Sequence, residues 1–575
     1  MGFSHSLDPK LTLISGRPTA TVAAEPVGLL RRLWRGSHTD RNFLASLHMA
    51  SVLSCRPTLY LLTIAQVEPG RLALQSSAFF AAVIIVAGGA CCGVEAWAAD
   101  VVPAGASAAA VASVPKPCTD GWGFIATDCQ LTWRGITVYG TIDAGFGWQS
   151  HGAPWDPRSA VGASYLIQKQ NTSALWGPAP NALTNSFIGI KGTEPIGGNV
   201  SVVFALDAGF DPYSLRFSNG PGSIAANAGI PQNSATAYSD SSRAGQWFNG
   251  QGYVGVSSPT YGTLTVFRQN SLTLDAVFDY DPFSGSYGFS PIGFQGITCG
   301  GGNTENCRNS TSLKYRVKVG QFRAAALWQF GGYGENNASN GAYQFQAGAD
   351  IPTWGNGVLS VDAIYSYVRD SVSLSLAPGT NDASGAPIPP FLPQALTAQI
   401  SDNTAAMFVA KYTNGPLKLY AGYEYIRYTA PSDPQTAFTD IAGNFLCLNC
   451  QAFNNTNINN TAFGVNGLGN KKLQVMWVGA KYAVTENLDV IGAYYHYIQN
   501  SFFGTAAGGP APCFGTEHPQ CAGTFDAISA AVDWRFAPKW DLYSGVMFTQ
   551  VNGGLAYGFL QRNNIAPTVG LRFRF

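Results

Sequence analysis

Residues 136–148 read Ile136-Thr137-Val138-Tyr139-Gly140-Thr141-Ile142-Asp143-Ala144-Gly145-Phe146-Gly147-Trp148. Ile136, Val138, Ile142, Ala144, Phe146 and Trp148 fall on even positions, and Thr137, Tyr139, Thr141 and Asp143 interleave with them. A period of two sustained this far marks a strand with one apolar and one polar face. The pattern returns at Val200/Val202/Phe204/Leu206, Leu313/Tyr315/Val317, Phe322/Ala324/Ala326/Trp328, Leu359/Val361/Ala363/Tyr365, Leu417/Leu419/Ala421/Tyr423 and Val569/Leu571/Phe573/Phe575. Strands of about ten residues, apolar on one side only, are the sequence mark of a transmembrane β-barrel.

Sixteen such segments can be counted, near 135–148, 185–193, 199–210, 249–257, 262–269, 311–319, 321–331, 342–351, 357–369, 404–413, 416–428, 471–483, 486–499, 524–536, 541–551 and 565–575. Their connections alternate in length. Short ones include Glu194-Pro195-Ile196-Gly197-Gly198, Thr413-Asn414-Gly415 and Ala537-Pro538-Lys539. Long ones run 149–184, 211–248, 270–310, 370–403, 429–470 and 500–523. A sheet in lipid must pair every backbone group, so it closes on itself. Its apolar face then meets lipid and its polar face lines the inside. Sixteen strands enclose more than side chains can fill, which leaves an aqueous channel. The expected fold is therefore all-β: a 16-stranded antiparallel transmembrane β-barrel with short periplasmic turns and long extracellular loops. Tyr315, Tyr412, Tyr482 and Phe575 lie near strand ends, where an interfacial aromatic girdle belongs.

Composition agrees. Charged residues make up 11% of the 575, against about 25% in average globular chains. Aromatic residues reach 13%, which excludes disorder, and Gly numbers 66, which suits many turns. Basic and acidic residues number 33 each. With no basic excess to displace counterions, nucleic acid is excluded as a partner.

The first hundred residues read differently. Residues 1–70 carry scattered arginines and no period, as an uncertain leader or a mis-assigned start would. Arg71, the apolar run Ala78–Ala90 and Ala96-Trp97-Ala98 then follow the order of a secretory signal peptide over 71–98, with cleavage after Ala98. The run is too short for a transmembrane anchor and is broken by Gly88-Gly89. Residues 99–134 are a lead-in and 135–575 the barrel. Residues 1–98 hold 8 of the 33 basic and 5 of the 33 acidic residues, so 25 and 28 remain, a net of −3. Eight cysteines remain too, in four close pairs: Cys118/Cys129, Cys299/Cys307, Cys447/Cys450 and Cys513/Cys521. An even count in an exported chain suggests disulfides. Eight cysteines allow 105 pairings, and proximity alone favours the local ones.

Residues 136–147 resemble the first strand of the general Gram-negative trimeric porins. SFIGIKGTEPIGG at 186–198 is similar to that family's second strand and turn, VVFALDAGF at 202–210 to its third strand, and GQGYVGVSSPTYGTLTVFRQ at 250–269 to its fourth and fifth. Gly570-Leu571-Arg572-Phe573-Arg574-Phe575 resembles its last strand. The resemblance implies a homotrimer in the bacterial outer membrane, passive diffusion of small hydrophilic solutes and ions, and a terminal Phe575 read by the outer-membrane assembly machinery. It also implies that the third long loop, here 270–310, folds into the lumen. Asp275, Asp279 and Asp281 would then edge a constriction, although Asp281 before Pro282 also suits a turn cap. Residues 99–134 depart from the family's simplest pattern, in which the first strand follows the signal almost directly.

Strand parity supplies the opposite charge. Lys191, Lys314, Arg316, Lys318, Arg323, Lys411 and Lys481 fall on polar faces, as do Asp143, Asp207, Asp362 and Glu424. A charge on the lipid face costs about 2–4 kcal/mol at mid-membrane, so these face water. Arg268 resembles the arginine of the family's Gly-Arg-Gln stretch. Its parity matches Leu264 and Val266, so only a bulge turns it inward. Wall cations facing loop carboxylates would select solutes by charge and size.

No nucleophile motif, metal cluster or phosphate loop appears, so neither enzyme nor cofactor is expected. His151, His496 and His518 lie far apart. Two other readings are a substrate-specific channel, suggested by Tyr494, Tyr495 and Tyr497, and an adhesin or receptor barrel using its long polar loops.

Overall fold

A computed structural model of the chain describes residues 117–152, 165, 167, 173–213, 215, 247–292, 307–332, 335, 337, 339–375, 397–429, 432, 472–500, 504–506, 509–511, 522–556 and 560–575. The leader and signal segments, most of the long loops, and Cys299, Cys447, Cys450, Cys513 and Cys521 lie outside the described residues.

Sixteen strands form the wall: β1 (Ile136–Gly152), β2 (Phe187–Gly197), β3 (Val200–Gly209), β4 (Gly252–Ser258), β5 (Gly262–Asn270), β6 (Arg308–Val319), β7 (Phe322–Gln329), β8 (Gly341–Pro352), β9 (Val358–Ser375), β10 (Thr397–Asn414), β11 (Leu417–Thr429), β12 (Lys472–Thr485), β13 (Leu488–Gln499), β14 (Gly523–Ala537), β15 (Trp540–Gly553) and β16 (Asn563–Arg574). Each pairs antiparallel with the next, and β16 closes on β1 from Thr141↔Arg574 to Gly147↔Thr568. Two short strands join the same sheet. Leu131–Trp133 pairs with the start of β1, and Ser173–Pro180, inside the first long loop, pairs with its end.

The alternation that defines the strands also sorts their faces. Ile142, Phe146, Phe408, Val478, Ile528 and Leu571 are exposed on the outer face, where lipid would cover them. Tyr315 and Tyr482 are exposed at the short-turn end, the position of a girdle.

The inner face differs from the simple expectation of a polar lining. On β10–β15, inward positions toward the long-loop end carry Met407, Val409, Ile426, Tyr428, Leu473, Val475, Trp477, Tyr495, Tyr497, Phe525, Met547 and Val551, all buried. They form one apolar cluster with residues of the third loop, including Leu272, Leu274, Val277 and Phe289. These wall segments are apolar on both faces because one meets lipid and the other meets a packed loop.

Candidate functional site

The third loop crosses the interior as a strap. Ser271 starts it: its Oγ accepts the Leu274 amide at 3.0 Å, and its own amide donates to Cys307 O at 2.8 Å. This N-cap opens helix α1 (Leu272–Tyr280) inside the barrel. The helix packs against β7 through β11, and its backbone is tied to the wall where Leu272 N donates to Gln344 Oε1 at 2.6 Å. At its far end Trp477 Nε1 donates to Tyr280 O at 3.0 Å. The chain then reaches β13 and β15. Tyr495 donates to Asp281 Oδ1 at 2.6 Å, Tyr497 donates to Pro291 O at 3.2 Å, and Phe289 meets Tyr543 edge-on at 6.2 Å.

The strap brings together most of the charges that sequence parity singled out. Asp275, in the first turn of α1, accepts from both Lys314 and Arg316. Lys314 also donates to Asn270 O at 2.8 Å. Arg323 gathers a second group. Its Nη1 reaches Asp350 at 2.6 Å and its Nε reaches Asp362 at 2.9 Å. Its Nη2 donates to the Tyr280 hydroxyl at 2.5 Å. Tyr280 in turn donates to Asp362 Oδ2 at 2.5 Å, so the helix is joined to the wall through one buried network. Lys318 pairs with Asp350 at 2.9 Å. Lys411 donates to Asp279 O at 3.1 Å and lies over the Tyr280 ring at 5.3 Å.

Others lie apart from the strap. Lys191 sits over the Tyr139 ring at 4.9 Å, and the Tyr139 hydroxyl donates to Asp207. Lys481 and Arg535 share Asp489, at 2.8 and 2.7 Å. Asp281, within the strap itself, is buried and accepts the Gly285 amide at 2.7 Å, so it holds a turn as well as Tyr495. Asp143 is likewise buried. It accepts from Tyr543 at 2.5 Å and from the amides of Leu183 and Thr184 at 2.9 and 2.7 Å, anchoring the return of the first long loop. Glu424 is fully buried.

Arg268 does turn inward, and by a bulge. The β5–β6 register slips between Phe267 and Gln269, and Phe267 takes a φ of 84°. Phe267 is then exposed outside while Arg268 is buried, its Nε and Nη2 on Asn249 O at 3.2 and 2.9 Å. Arg268 thus braces the wall near its long-loop end.

Lys418, Arg572, Asp350, Asp489, Asp533 and Asp541 belong to the same charged interior and were missed in the sequence, although parity reaches each. Arg572 alternates with Leu571 and Phe573 and bridges Asp541 at 2.8 Å and Asp533 at 2.9 Å. His496 takes no part. With Tyr494 and Asp526, whose carboxylate lies 2.7 Å from its Nδ1, it sits on the outer face of β13 and β14. Among the described residues no group of His, Cys, Asp and Glu has the makings of a metal site.

Comparison with known proteins follows from this geometry. The family model described as Gram-negative porin matches residues 96–554. An outer membrane porin protein of Bordetella pertussis is 26% identical over 158 residues, 28% of this chain, and the match spans only 34% of that relative's length. Among solved structures, the anion-selective porin from Comamonas acidovorans aligns with a TM-score of 0.46 at 14% identity, covering 76% of this chain and 99% of its own. OmpF of Salmonella typhi, in complex with daunomycin, gives 0.40 at 15% identity over 76% and 97%. With the family model spanning most of the barrel, the chain belongs to the Gram-negative porin family.

Proposed function

We propose that this protein is a passive diffusion channel for small hydrophilic solutes and ions across the bacterial outer membrane, a homotrimer that catalyses no reaction. Family membership supports a channel, and a wall of sixteen strands leaves room for one. The solute gradient alone drives transport. On this reading the short turns and both ends of the barrel lie in the periplasm, and 71–98 is the export signal.

The arrangement of charge beside the strap supports a finer statement: the channel favours anions. Of the carboxylates there, Asp275 and Asp350 keep 20% and 29% of their side chains open, and Asp279 on the strap helix is exposed. Asp362 keeps 2% of its side chain open and is held by Arg323. Arg316 and Lys318 keep 43% and 57% open. Cations that face water more fully than the carboxylates they pair with leave a positive local potential, which raises the anion concentration at the narrowing. Two cations about twice as open as the carboxylates they pair with, Arg316 against Asp275 and Lys318 against Asp350, are the observation that carries this reading.

Reversal potential across a salt gradient, measured on single channels of the purified protein, tests it. Wild type should show an anion-side potential, and Arg316→Gln with Lys318→Gln should move it toward the cation side. An unchanged potential would remove these residues from the selectivity site, and absence of conductance would end the channel reading itself.

A further inference from the structure

The lead-in before β1 is a compact body seated on the outer face of the barrel, at the line where the first and last strands meet. A disulfide joins Cys118 and Cys129, and the Cys118 amide donates to Gln130 O at 3.0 Å. Inside the closed loop lies one helical turn, Gly121–Ala126. Asp120 caps it, its Oδ1 accepting the Gly123 amide at 2.7 Å.

Three strands receive this body. The first contact is with β1. Strand β16 covers β1 only from Thr141 upward, with Gly140 and Phe575 exchanging backbone hydrogen bonds at 2.9 and 3.0 Å. Since β2 occupies the other edge of β1, Ile136–Tyr139 would be left with a bare edge on the β16 side. Leu131–Trp133 fills it, with Leu131↔Val138, Thr132↔Thr137 and Trp133↔Ile136 in register. The turn between them is Arg134-Gly135, both at positive φ (47° and 79°), which a tight two-residue hairpin needs. The second contact is with β16, where Phe124 meets Phe573 and Phe575 edge-on at 5.7 and 5.5 Å. The third is with the β14–β15 turn. Lys539 Nζ donates to Phe124 O at 2.9 Å and to Cys129 O at 2.6 Å, and lies over the Phe124 ring at 4.6 Å. Trp540 Nε1 donates to Ile125 O at 3.1 Å.

We propose that residues 117–134 are a clasp that locks the closing seam of the barrel at its short-turn rim, with the Cys118–Cys129 bond holding the clasp in shape. The strand pairing, ring contacts and side-chain hydrogen bonds described above fall on β1, β16 or the turn that begins β15, which are the elements whose separation would open the cylinder. Lys539 gives the strongest sign that the docking is built in. This lysine is only 6% exposed, and burial holds its pKa below the usual lysine value. An ammonium taken out of water needs acceptors, and Lys539 finds them in two carbonyls of the clasp. The pore lies on the other side of the wall, so the clasp acts on closure and leaves conduction alone.

Amide hydrogen exchange on the full barrel in detergent tests the proposal, read at Gly140, Arg574 and Phe575 and, as a distant control, along the β8–β9 pair. Cys118→Ser with Cys129→Ser should speed exchange at the seam by about tenfold or more, with the control pair within about twofold, as local opening requires. Phe124→Ala, which keeps the disulfide, should act in the same direction. Dithiothreitol applied to folded wild type, with freed thiols counted by alkylation, should reproduce the serine variant's seam, and should add nothing to the seam of that variant. This last comparison separates the clasp from other disulfides and remains available if the serine variant fails to fold. Single-channel conductance should not change. Seam exchange at the wild-type rate in Phe124→Ala and in reduced wild type, or a rise spread evenly around the wall, would overturn the proposal.

Discussion

Trp477 shows how a single residue sets the interior. It faces inward from β12, and its register partner on β11 is Gly422. Its indole lies on that glycine, in the space where a Cβ would stand. From there its Nε1 holds Tyr280 O, the C-terminal end of the strap helix. Gly422→Ala would push the ring off its seat and break that hold. It should destabilise the barrel by about 1–3 kcal/mol in denaturant titration, the range for overpacking a closed site, and it should make the open-channel current noisier. A variant as stable and quiet as wild type would show that the ring has another place to go. The sequence does not disclose this pairing, because Gly422 and Trp477 meet only once the β11–β12 register is known. The same holds for Gly348, which makes room for Asp362 on the next strand. Arg268 was more accessible: parity alone said that it needs a bulge, and the bulge is there.

At the scale of elements, all sixteen strands were legible, because a half-buried strand in lipid has no other way to write its pattern than every second residue. The strap helix was not. Leu272, Thr273, Leu274, Ala276, Val277 and Tyr280 are all buried, and the open stripe is only Asp275, Phe278 and Asp279, too short for a 3.6-residue period to stand out. The inward apolar residues of β12 and β13 escaped for the same reason: with both faces covered, the contrast between them fades. The charge on α1 was legible as a residue type and not as a bond. Asp275 is the acceptor shared by Lys314 and Arg316, so Asp275→Asn takes one negative charge from the narrowing and leaves both cations in place. Reversal potential should then move further to the anion side, opposite in sign to the change expected for Arg316→Gln with Lys318→Gln. A shift toward cations would mean that Asp275 positions the cations and adds no charge of its own to the field.

Over the whole molecule the interior divides along the barrel axis. Toward the short turns, Arg316 and Lys318 stand open to water, and Lys418 faces Lys481 across the β11–β12 pair. Toward the long loops, Val475, Tyr497, Phe525 and Met547 are wholly buried against the strap and one another. On the proposed orientation, solute entering from the periplasmic end would meet these cations first, and the β12–β15 wall beyond them is packed. Accessibility to a charged thiol reagent separates the two regions. With native thiols blocked beforehand, a cysteine placed at Lys318 or Lys418 should react with an anionic methanethiosulfonate added on the periplasmic side. The reaction should lower single-channel conductance, because each modification narrows the passage there and reverses a charge. A cysteine at Val475 or Met547 should stay unmodified over the same time, since reaching it requires the packed cluster to open. Equal labelling at all four positions would mean that the apolar half is open to water, and the strap would then be a bridge across the lumen with solvent on both sides.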